Sequence, residues 1–116
     1  MDIQTIQKKL QTFADERQWD QFHTPKNLVM GLSGEVGELT ELFQWLTPEE
    51  SQNIADNHET MEKVRHELAD VQIYLLRLAD KLNVDLERAI RDKMKHNEDK
   101  YPAHLVKGSA KKYTEY

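Results

Sequence analysis

Residues 25–46 read PKNLVMGLSGEVGELTELFQWL, and this stretch decides the fold. Leu28, Leu32, Val36, Leu39, Leu42, Phe43 and Leu46 recur at three- and four-residue steps, the period of an amphipathic helix. Thr24 ahead of Pro25 is a start signal. Its hydroxyl can accept from an orphan backbone N–H, and proline lacks an N–H that the first turn could not satisfy anyway. The helix is expected to run to Trp45 or Leu46. With Leu28 at zero and about 100° per residue, Glu35 falls at about 340°, inside the apolar arc, and Glu38 at about 280°, at its border beside Trp45.

Residues 58–82, HETMEKVRHELADVQIYLLRLADKL, repeat the arrangement. Val64, Leu68, Val71, Leu75, Leu78 and Leu82 define an arc with Tyr74 at one margin. With Val64 at zero, Glu67 falls at about 300°, between Tyr74 and Leu78, and Asp70 near the border at about 240°. Two helices thus each carry a carboxylate on an apolar stripe and a second one turn later. Around this pair, Ile3, Ile6, Leu10 and Phe13 predict a helix over about residues 2–19. Thr47-Pro-Glu-Glu50 is a capping box opening a short helix, and residues 51–57 read as a loop or frayed end. Asn83 is taken as the cap of a last helix that reaches Lys100 and stops before Pro102. The basic tail from Ala103 is expected to be extended or to wrap over a neighbour. The fold class is all-α, with four main helices in one domain spanning residues 1–116.

Composition supports this and narrows the function. A chain of 116 residues with only 4 Gly and 3 Pro is poorly supplied for a turn-rich β fold. A net charge of -5 disfavours a general nucleic-acid binder, so an anionic ligand would need a mediating cation. With no cysteine, disulfides and thiolate chemistry are excluded. The opening MDIQTIQKKLQ lacks the apolar core of a signal peptide, and no stretch approaches the roughly 20 apolar residues of a membrane span. A soluble, cytoplasmic protein with no membrane partner is expected.

Acidic pairs three residues apart are common on solvated helix faces. Those at Glu35/Glu38 and Glu67/Asp70 differ by position, because an unpaired carboxylate on a core-facing stripe costs several kcal/mol. Lys63 and Arg65 flank the second arc without replacing its carboxylates. A divalent cation is the economical partner, and an all-oxygen donor set points to Mg²⁺, with Mn²⁺ as substitute. A di-iron bundle needs Glu-x-x-His on two helices. Here His66 precedes Glu67 directly, so redox iron is disfavoured. All-oxygen Mg²⁺ sites generally serve phosphate chemistry.

Glu35-Val-Gly-Glu38 followed by Glu67-Leu-Ala-Asp70 resembles the EXXE…EXXD signature of the MazG-like, all-α nucleoside triphosphate pyrophosphohydrolases. Arg17-Gln-Trp19-Asp-Gln-Phe-His23, Tyr101-Pro-Ala-His-Leu105 and Lys112-Tyr-Thr-Glu115 bring the chain nearest the family's dCTP pyrophosphatase branch. The resemblance covers nearly the whole chain. It implies Mg²⁺-dependent hydrolysis of a deoxynucleoside triphosphate, dCTP first, to the monophosphate and pyrophosphate in nucleotide-pool house-cleaning. It makes Glu35, Glu38, Glu67 and Asp70 metal ligands and catalytic residues, with one of them, Glu38 by choice, unliganded at the moment of reaction and orienting the attacking water instead. It puts Trp19 and Trp45 at the walls of a base pocket, His23 on the base and Tyr74 under the sugar. Lys93 and Asn97 would hold phosphate oxygens, with Tyr101 assisting. Each has a plainer reading beside it: core packing for the aromatics and His23, a snorkelling surface lysine for Lys93. Broader use of dATP or dTTP is one alternative function, and a non-catalytic helical interaction module is another.

Ile73 and Leu76 fall outside the second arc, at about 180° and 120°. A helix apolar over more than half its circumference needs cover on two sides, which predicts a homo-oligomer; the resemblance implies a dimer of dimers.

Overall fold

The computed structural model describes residues 2–108. These residues form helices and connecting turns, with no strand among them. The main helices are α1 (Ile3–Glu16), α2 (Pro25–Phe43), α4 (His58–Lys81) and α5 (Leu86–Lys100), with short α3 (Pro48–Gln52) and α6 (Ala103–Val106). The all-α expectation and its four main helices hold. Single 3-10 turns follow α1, at Asp20–Phe22, and α3, at Ile54–Asp56. The described chain divides after Asn83 into two compact units, the first carrying α1 to α4 and the second α5 and α6.

Local chemistry sets the boundaries. The Thr24 hydroxyl accepts from Asn27 N at 3.2 Å with Pro25 in the first turn, as its sequence requires. Thr47 and Glu50 form the reciprocal capping box: Glu50 N donates to Thr47 Oγ1 at 3.1 Å and Thr47 N to Glu50 Oε1 at 2.9 Å. Asn57 caps α4 through Thr60 N at 3.1 Å.

Three boundaries differ from expectation. Helix α1 ends at Glu16 rather than Trp19, because Gln18 adopts the left-handed region at φ 54°. Gln18 N then donates to Asp15 O and Trp19 N to Ala14 O, closing a Schellman turn without the usual glycine. Asn83, at φ 55°, likewise closes α4 instead of opening the next helix; Asp85 caps α5, accepting from Arg88 N at 3.0 Å. Helix α2 stops at Phe43, so Trp45 lies in the turn before the capping box. Ala103–Val106 is helical rather than extended, and the tail from residue 109, with Lys112 to Glu115, lies outside the described residues.

In the first unit, α2 lies along α4, and α1 packs on α4 at another face. Leu28 of α2 and Leu76 of α4 are each 1% exposed, and Val64, Ala14 and Ala79 are buried with them. Gln7 Nε2 on α1 donates to Leu76 O at 3.0 Å. Leu76, which falls outside the α4 arc, is therefore on the flank of α4 covered by α1. The arcs themselves are covered unevenly. Val36 is 44% and Leu68 51% exposed, and with Leu39, Phe43 and Val64 they line an open apolar groove of about 460 Å³.

Gly31 of α2 sits where a larger residue would collide. A Cβ built there would lie 2.9 Å from Tyr74 Cζ and 3.0 Å from Cδ1. Alanine favours a helix interior by roughly 1 kcal/mol over glycine, but forcing the ring aside costs about 1–3 kcal/mol. Gly31→Ala is therefore expected to lower stability modestly, read as a reduced urea midpoint. A raised midpoint would show that the ring is not held against this helix.

Candidate metal centre

Because α2 and α4 run side by side, the two acidic pairs face one region. Glu35, Glu38 and Glu67 each place a carboxylate oxygen so that all three atoms lie within 4.8 Å of one another. Asp70 is not in this trio, although its charge acts on Glu35. Three of the four expected ligands are thus gathered in this side-chain arrangement, with the fourth adjoining them. Glu35, Glu67 and Asp70 are half-buried and Glu38 is exposed, so solvent reaches one side.

Glu35 Oε2 and Glu67 Oε2 are buried with no hydrogen-bond partner. Among the described residues, no lysine or arginine forms an ion pair with any of the four. Ionised carboxylates are acceptors only, so they cannot satisfy one another. Two full charges at such a separation repel by roughly 3 kcal/mol at an effective dielectric of about 20. Either a proton or a cation must sit among them. Burial foremost, then the close carboxyls of Glu67 and Glu38, then the charges of Glu38 and Asp70, raise the Glu35 pKa from an ordinary 4.5 to about 7. The orphaned oxygens and the all-carboxylate donor set fit a hard divalent ion.

A pH dependence follows for the metal-free protein. With the Glu35 pKa near 7 in the fold against 4.5 unfolded, the folded state holds the extra proton between those values. The stabilisation is complete below about 4.5, fades as pH rises and is gone above about 7. In EDTA, the wild-type melting temperature relative to that of Glu35→Gln should fall across this window. A difference that stays flat from pH 4 to pH 8 would contradict the shift.

The remaining expected site residues fall in both units. Trp45 is 87% exposed in its turn, so the helical-wheel argument that set it beside Glu38 does not apply past Phe43. Trp19 follows the Schellman turn and meets Phe13 edge-on, ring centroids 5.8 Å apart. Tyr74, one turn beyond Asp70, packs against Gly31. Lys93 and Asn97 are exposed on α5, and Tyr101 caps its end, all in the second unit.

His23 closes the first 3-10 turn, and its surroundings hold a residue that periodicity passes over. Arg77 is 3% exposed. Its Nε lies 3.3 Å and an Nη 3.1 Å from His23 Nδ1, with further bonds to Gln11 Oε1 at 2.6 Å and Asp20 Oδ1 at 3.1 Å. Lys81 also donates to Asp20 Oδ1. Gln11 Nε2 donates to the same oxygen at 3.0 Å; Gln11 foremost, then Lys81 and Arg77, hold the Asp20 carboxyl well below the usual carboxylate range. The available signal was a lone arginine inside the apolar run IYLLRLA at residues 73–79.

A sequence profile of the MazG-like family matches residues 32–116. The chain is 47% identical to dCTP pyrophosphatase 1 of Rattus norvegicus over 113 residues, 97% of this chain and 66% of that protein. It is 46% identical to dCTP pyrophosphatase 1 of Homo sapiens over 113 residues, again 97% of this chain and 66% of the relative. The chain thus spans just under two thirds of the length of these two relatives. A crystal structure of a pyrophosphatase from Archaeoglobus fulgidus superposes with a TM-score of 0.80 at 39% identity, covering 88% of this chain and 94% of that one.

Proposed function

The chain belongs to the MazG-like family, and from that premise we propose that it is a Mg²⁺-dependent pyrophosphohydrolase of deoxynucleoside triphosphates, preferring dCTP. Water would cleave the α–β phosphoanhydride, giving a deoxynucleoside monophosphate and pyrophosphate. The observation that carries the reading is the pair of buried, unpartnered oxygens on Glu35 and Glu67, gathered with Glu38. The similarity to the mammalian dCTP pyrophosphatases supports the substrate class.

In this reading Glu35, Glu38, Glu67 and Asp70 hold the metal. Bound there, Mg²⁺ supplies positive charge for the triphosphate and acidifies water. Glu38, exposed to solvent, would be the carboxylate left off the metal at the moment of reaction, accepting a hydrogen bond from the attacking water and orienting it. Trp19 and Trp45 stack on the base, worth roughly 1–3 kcal/mol each, and His23 hydrogen-bonds its edge. Tyr74, braced by Gly31, excludes a ribose 2′-hydroxyl. Lys93, Asn97 and Tyr101 are assigned to phosphate oxygens. The enzyme would act on the cytoplasmic nucleotide pool; no helix among the described residues is long and apolar enough to cross a membrane.

Incubation with dCTP and Mg²⁺ should yield dCMP and pyrophosphate, resolved by ion-exchange chromatography. Release of dCDP and orthophosphate would overturn the cleavage position. A panel of the four dNTPs and four NTPs, ranked by kcat/KM, should place dCTP first. The open groove on α2 and α4 supports a homo-oligomer, a dimer of dimers, that covers it. Leu68→Glu should therefore dissociate the assembly in sedimentation equilibrium, and a monomeric wild type would refute the assembly.

A further inference from the structure

We propose that Arg77 is a positioning residue that fixes His23 as a neutral imidazole with its proton on Nε2, so that His23 presents a hydrogen-bond donor to a nucleobase acceptor. This rests on the proposed nucleotide substrate.

An arginine has donors and no acceptor. With Nε and an Nη both within 3.3 Å of His23 Nδ1, that nitrogen can only accept, and the imidazole proton belongs on Nε2. Nε2 makes no hydrogen bond among the described residues, so its N–H is available to a ligand. The guanidinium is itself locked: its other bonds go to Gln11 on α1 and Asp20 in the 3-10 turn, and its side chain is buried. The charges around the ring are Arg77 and Lys81 from α4 and Asp20 from the turn, two cations against one anion. Burial first, and then Arg77, push the His23 pKa below its ordinary value, with Lys81 acting the same way and Asp20 opposing. The ring therefore stays uncharged at neutral pH. A donor at this place meets acceptor atoms such as cytosine O2 or N3.

Long-range ¹H–¹⁵N spectra of the wild-type protein, with His23 assigned from a His23→Gln spectrum, read the tautomer without enzymatic turnover. The expected result is the Nε2–H form at pH 7, with His23 titrating below 6.5. Arg77→Met, which keeps an apolar stem and leaves Lys81 on Asp20, should mix the tautomers and raise that pKa. In kinetics the variant should raise KM for dCTP about tenfold with kcat within about twofold, the KM defect growing as pH falls below 7. Arg77→Lys, lacking the planar fork, should rescue only part of it.

An Nδ1–H or imidazolium His23 in the wild type at pH 7 overturns the proposal. So does an unchanged tautomer and KM in Arg77→Met. Turnover together with an Nδ1–H ring sinks this inference and spares the pyrophosphohydrolase. An Nε2–H ring without hydrolysis of any triphosphate refutes the enzyme and the base contact, and sustains Arg77's hold on the ring.

Discussion

Replacing Glu35 by glutamine is expected to lower kcat/KM for dCTP by roughly three orders of magnitude, the scale of losing a central electrostatic element of a site. The substitution keeps the shape of the side chain and removes its charge. Glu35 feels the cluster directly, its pKa raised to about 7 by burial and by Glu67, Glu38 and Asp70. A neutral amide there cannot complete an anionic cage. The same change relieves repulsion, so at pH 8 in EDTA the variant should melt above the wild type. Added Mg²⁺ should reverse that order, since a ligand stabilises the fold that binds it. The opposed signs separate a metal ligand from a structural residue, which would lose stability under both conditions. Turnover within tenfold of wild type would remove Glu35 from the site.

Leu28→Ala should cost about 2–5 kcal/mol, the range for truncating a fully buried leucine. Few large side chains in the first unit are so completely withdrawn from water. Leu28 and Leu76 are the two largest below 2% exposure, and a domain of this size has only about 5–15 kcal/mol in all. The loss also loosens α2 against α4, the pairing that gathers Glu35, Glu38 and Glu67. Metal affinity in the stabilised fold should therefore fall together with the urea midpoint. A stability change under 1 kcal/mol would show that the α2–α4 contact is not held by this side chain.

Much of this was legible beforehand because helices are specified locally. The Thr24-Pro25 start, the Thr47–Glu50 capping box and the three- and four-residue recurrence of leucines each act within one or two turns. They are written in consecutive residues. The acidic spacing was legible for the same reason, since residues three apart on a helix share a face. Gln18 escaped because a left-handed glutamine leaves little compositional trace, whereas Asn83 carried two readings, since asparagine both caps helix starts and closes helix ends in the left-handed region; backbone hydrogen bonds to Asp15 and Asp80 hold the two conformations. Trp45 escaped because the wheel extends a helix indefinitely, whereas α2 yields at Phe43 to the turn leading into the next cap.

The order of residues by itself determined an all-α chain, its capped helix starts and two acidic pairs on apolar stripes, all consequences of interactions between near neighbours. Only the packed structure decided that Glu35, Glu38 and Glu67 converge while Asp70 stands beside them. It alone buried Arg77 against Gln11, Asp20 and His23, residues 54 to 66 positions away along the chain. Such contacts depend on how rigid elements approach one another, which periodicity, blind to separations beyond a few turns, does not encode.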